Sequence, residues 1–140
     1  FQSNEIAKIE LIGKWSSRLT FAITLAAGAL LFLFGPVIIQ LLFGSAFKAA
    51  YWSLAVMVVA QCVNAAFGPV GTILNMTAYA RTSLAGFSAA AIVNVIICTV
   101  LIPVMGHIGA AVAALVSTIT WNIYLTRMLK KHLGIRVSFI

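Results

Sequence analysis

The sequence predicts an all-α integral membrane bundle of four transmembrane helices, with both termini cytoplasmic. Three observations predict it. Hydrophobic residues make up 63% of the 140 positions and charged residues only 8%, with a mean hydropathy of +1.12. A soluble domain of this size carries about 25% charged residues, because Lys, Arg, Asp and Glu supply much of a soluble surface. The charges that exist punctuate long apolar runs: none occurs from Leu19 to Phe47, from Ala49 to Ala80, or from Thr82 to Thr126. Finally, the Lys and Arg residues are distributed asymmetrically among the predicted loops. This composition excludes an ordinary soluble enzyme, a disulfide module and a disordered tail.

Residues 1–4, Phe1-Gln2-Ser3-Asn4, read as the remnant of a protease-cleavable expression tag and are left out of the fold reasoning. Residues 5–18 read as a cytoplasmic juxtamembrane segment. A bilayer core of about 30 Å takes about 20 apolar residues of helix, and residues 19–128 divide into four such spans. The first runs over about 19–43, with a break expected at Gly35-Pro36, because proline lacks a backbone N–H and clashes with the preceding turn. The second covers about 47–67; Gly68-Pro69 interrupts it, and an extension continues toward 79. The third covers 83–102 and stops at Pro103-Val104-Met105-Gly106; the fourth covers 108–128. Residues 129–140 form a basic cytoplasmic tail with Lys130, Lys131, His132 and Arg136.

Four spans place Lys8, Lys14, Arg18, Arg81, Arg127, Lys130, Lys131 and Arg136 on one side and Lys48 alone on the other. Positive charge concentrates in cytoplasmic loops, so both termini are expected in the cytoplasm. Trp15, Tyr51, Trp52, Trp121 and Tyr124 fall near span ends, where amphipathic rings favour the headgroup level. The +7 net charge is thereby a topology signal, and no nucleic-acid partner is expected.

No Asp, Glu, Lys, Arg or His lies deep in a predicted span, so proton-relay chemistry has no carrier here. His107 and His132 fall on opposite sides, and no nucleophile–base set, phosphate loop or dinucleotide fingerprint is present. No enzyme, metal or cofactor is expected, and Cys62 and Cys98 read as small packing residues. The spans contain amides instead. Gln61 and Asn64 lie three apart on one face of the second helix, and Asn94 is central in the third. An amide facing hydrocarbon leaves donors and acceptors unpaired. These three therefore face other helices, as interhelical hydrogen bonds, or a polar cavity, as its lining. Arg81, the sole charge between the second and third spans, is either a topology determinant or a contact to a phosphate near the inner face. Pro36 and Pro69 are candidate flex points. Stripes of small residues, Gly86-Ala90-Asn94-Cys98 and Gly106-Ala110-Ala114 with Gly109-Ala113-Ser117 beside it, predict close packing of the third helix on the fourth.

Three stretches carry a family resemblance: Leu42-Phe43-Gly44-Ser45-Ala46-Phe47, Phe67-Gly68-Pro69-Val70-Gly71-Thr72-Ile73-Leu74-Asn75-Met76-Thr77, and Leu101-Ile102-Pro103-Val104-Met105-Gly106-His107-Ile108-Gly109-Ala110-Ala111. In this order and spacing the chain resembles the C-terminal part of bacterial polysaccharide biosynthesis proteins. These are the O-antigen and exopolysaccharide flippases of the multidrug/oligosaccharidyl-lipid/polysaccharide exporter superfamily. The chain departs from many relatives at Ala78-Tyr79-Ala80-Arg81, where they carry Gly and an acidic or polar residue. The resemblance implies a multi-pass protein of the bacterial inner membrane with two lobes of helices around a central cavity. Such a protein would move lipid-linked oligosaccharide by alternating access. The present spans would be the last of the second lobe, completed by N-terminal helices of the same protein, and would supply part of the cavity wall, for which Gln61, Asn64 and Asn94 are the candidate lining. Its partners would be membrane lipids and the lipid-linked substrate. Two alternatives stand beside it: an autonomous four-span small transporter acting as a dimer, and a non-transporting membrane scaffold.

Overall fold

The computed structural model describes residues 2–77 and 79–134, and all regular structure among them is helical. Phe1 of the expected tag remnant, and Arg136 with the rest of the tail beyond Gly134, lie outside the described residues. Helix α1 spans Gln2–Phe43, α2 Ala50–Phe67, α3 Val70–Asn75, α4 Ala80–Met105 and α5 His107–Leu133. A single 3₁₀ turn, Ser45–Phe47, lies between α1 and α2. Four of these helices, all but α3, are long and apolar enough to cross a membrane.

The expected break at Gly35-Pro36 does not occur: α1 runs through Pro36 to Phe43. Proline removes the donor that would have bonded the carbonyl four residues earlier, here Phe32. The Tyr51 hydroxyl of α2 donates to that carbonyl at 3.0 Å. Neighbouring helices commonly replace the bond a membrane proline removes. Gly35 makes the approach possible, since a Cβ there would stand 3.1 Å from the Tyr51 ring. Residues 5–18 are the N-terminal part of this same continuous helix.

The second span starts at Ala50, later than the expected 47, because Ser45–Phe47 is taken up by the 3₁₀ turn. The break at Gly68-Pro69 is present. Gly68 has a φ of 76°, a conformation open to glycine and strained for other residues. Pro69 then precedes α3, the helical part of the expected extension among the described residues. Helix α4 passes Pro103 and ends at Gly106, whose φ of 57° lets this one residue join α4 to α5.

The helices pack in the order α1–α2–α5–α4, with α3 tucked against α5 and α4. In the apolar windows of the edge helices α1 and α4 only 11% and 6% of residues are buried, against 28% in α5, which makes α5 the centre of the assembly. Lipid tails are as apolar as leucine, so close van der Waals packing holds membrane helices together. The small-residue stripes supply it. A Cβ on Gly109 would come within 2.5 Å of the Leu101 carbonyl oxygen, and one on Gly86 within 2.7 Å of the Tyr124 ring. Beneath α3 lies a compact cluster of Val70, Leu74, Leu125 and Leu129, with Trp121 and Tyr124 packed on it.

Contacts between loops identify the two ends. At one, His107 Nε2 lies 3.1 Å from the Ala49 carbonyl. At the other, the Tyr79 and His132 rings stack with centroids 4.4 Å apart. The Ser17 hydroxyl donates to the Ala65 carbonyl at 3.4 Å, which brings the N-terminal half of α1 to that same second end.

Candidate functional site

The amides were the strongest functional signal in the sequence, and the row of helices distributes them among three different contacts. Asn64 faces α5: the Asn122 Nδ2 donates to Asn64 Oδ1 at 3.0 Å, and to the Thr118 carbonyl at 2.9 Å. Asn122 is 1% exposed, and its Oδ1 is left without a partner among the described residues. Asn94 faces the other side of α5. Its Nδ2 donates to Ser117 Oγ at 3.3 Å, and Ser117 in turn donates to the Ala114 carbonyl at 3.0 Å. The Cys98 thiol lies 3.6 Å from Asn94 Oδ1 on the same helix. A shallow depression of about 410 Å³ between Asn94 and Pro103 runs along α4 beside this network.

Gln61 is different. It is exposed and sits at one end of a groove of about 390 Å³ between α1 and α2. Ile23, Gly28 and Leu31 line the α1 side, and Leu54 and Met57 the α2 side. Thr24 is the other polar residue there. Gly28 sets the closeness of the two helices, since a Cβ would stand 2.8 Å from Val58 Cγ1. Gln61 and Asn64 share a helical face in sequence, yet α2 lies between α1 and α5. Sixty degrees of rotation is enough to turn one amide to the groove and the other to α5.

Arg81 is exposed in the first turn of α4, at the end marked by the Tyr79–His132 stack. Pro69 lies at the break between α2 and α3, whereas Pro36 is held inside α1. Among the described residues no three His, Cys, Asp or Glu side chains come together to hold a metal. Sequence reasoning missed two polar ties. Ser17, fully buried against the end of α2, is one; a hydroxyl close to a run of basic residues gives no local sign of burial. The Tyr51–Phe32 bond is the other, and its signal was present: a tyrosine on the helix following a proline-bearing span.

No family model matches the chain, and neither a curated protein nor a solved structure matches it.

Proposed function

We propose that this chain is part of a flippase that moves lipid-linked oligosaccharide across the bacterial inner membrane by alternating access, with both termini cytoplasmic. The Gln61 amide carries the reading. It stands exposed on a groove between two membrane-length helices, while Asn64, Asn94 and Asn122 are bonded between helices. An exposed amide in hydrocarbon forfeits its hydrogen bonds, so this face meets a polar surface: further helices of the same protein, or sugar hydroxyls passing between them. Sequence resemblance supports the substrate class, and the sparsely buried edges at α1 and α4 are consistent with additional helices beside them. In this reading Arg81 contacts the phosphate of the lipid carrier. Pro69, between α2 and α3, is the better flex point of the two prolines.

A non-transporting scaffold is the second reading, favoured by the Asn64–Asn122 and Asn94–Ser117 bonds, which serve as helix glue. Reconstitution separates the two. The product of the complete reading frame, in liposomes carrying a fluorescent lipid-linked oligosaccharide, is expected to flip it faster than protein-free vesicles. The present chain alone is expected not to. A complete product that flips no faster than empty vesicles overturns the flippase reading and leaves the scaffold.

A further inference from the structure

The Tyr79–His132 end of the molecule is strongly basic. Lys14, Arg18, Arg81, Arg127, Lys130 and Lys131 gather at it, and Lys8 lies further out on α1. Among the described residues only Lys14 has a salt bridge, to Glu10 at 2.6 Å. Arg127, Lys130 and Lys131 stand at i, i+3 and i+4 on α5 and so share one face; all three are exposed. They are held in place and do not trail on a loose tail. Gly134 closes the helix with its N–H on the Lys130 carbonyl at 3.1 Å. His132, in the same turn, stacks on Tyr79, and the neighbouring Leu125 and Leu129 are buried under α3.

We infer that this face of α5 is a binding surface for the headgroups of anionic phospholipid. Charge complementarity identifies the partner class, because the one carboxylate described at this end is already paired with Lys14. Position identifies the source. The three cations lie in the last two turns of a helix long and apolar enough to cross a membrane, which puts them at headgroup depth, where long basic side chains extend from apolar helix to phosphate. A dissolved polyanion would have no reason to require that depth. The surface is independent of any transport role.

The test is a titration of phosphatidylglycerol into the purified chain held in phosphatidylcholine mixed micelles, read as the rise in thermal midpoint and as bound lipid in native mass spectra. Each cation near an anionic surface contributes about fivefold to affinity. The Arg127→Gln/Lys130→Gln/Lys131→Gln variant is therefore expected to lose about a hundredfold. Lys48→Gln, at the opposite end, is expected to bind as the parent does, and the Arg127→Lys/Lys130→Arg/Lys131→Arg variant to retain affinity. Matched helical circular dichroism separates lost binding from lost fold. Equal affinity for phosphatidylglycerol in parent and triple Gln variant overturns the proposal, as does the same loss in Lys48→Gln. An equal stabilisation by inorganic phosphate overturns the assignment to lipid.

Discussion

The Tyr51 hydroxyl donates a 3.0 Å hydrogen bond to the carbonyl oxygen of Phe32, the acceptor that Pro36 deprives of its backbone donor. The same ring lies 3.1 Å from the position a Gly35 Cβ would occupy and packs on Phe32 with centroids 6.1 Å apart. Gly35, Pro36 and Tyr51 thus act as one unit that keeps a proline-bearing helix continuous and fastens it to its neighbour.

This relationship predicts a coupling. Tyr51→Phe keeps the ring and removes only the donor, and is expected to cost about 1 kcal/mol in a reversible unfolding assay in mixed micelles. Pro36→Ala restores a backbone N–H to the Phe32 carbonyl, so in that background the same substitution is expected to cost less than half as much. An equal cost in both backgrounds would show that the hydroxyl does not compensate for the proline.

The α4–α5 contact predicts an order of severity. A Gly109 Cβ meets backbone, the Leu101 carbonyl at 2.5 Å, whereas a Gly86 Cβ meets side-chain atoms of Tyr124 and Leu125 at 2.7 and 2.9 Å. Side chains give way more readily than a helix backbone. Gly109→Ala is expected to destabilise by about 2 kcal/mol or more, and Gly86→Ala by less, in the same unfolding assay. A reversed order would mean that α4 and α5 are not in this register.

How far these features were readable beforehand depends on how local their causes are. The spans were legible because the absence of charge over Leu19–Phe47 or Thr82–Thr126 is a property of the run itself. Gly68-Pro69 and Gly106 were legible because glycine and proline act through their own backbone. Continuity through Pro36 was not, since its cause sits on another helix at Tyr51. The amides were legible as groups needing partners, but not in their pairing. Helical spacing places Gln61 and Asn64 on one face, yet only the packing order α1–α2–α5 shows that they meet different neighbours.

Topology gives a further test. With Cys62 and Cys98, both half-buried, replaced by Ser, single cysteines at Lys48 and Lys131 are expected to react with a membrane-impermeant maleimide from opposite sides. The Lys131 site should react only after the membrane is opened. Labelling of both from one side would contradict the three crossings, α2, α4 and α5, that separate them, and the charge-based orientation with it.

The transport reading stands most directly on Gln61. In the reconstituted product of the complete reading frame, Gln61→Leu is expected to slow flipping of a lipid-linked oligosaccharide at least about tenfold, a barrier change of about 1.4 kcal/mol. Asn64→Leu, which removes a bond between helices, is expected to cost about 0.6 kcal/mol of stability and leave the rate per folded molecule unchanged. An unchanged flipping rate in Gln61→Leu, at matched protein level, would contradict the account.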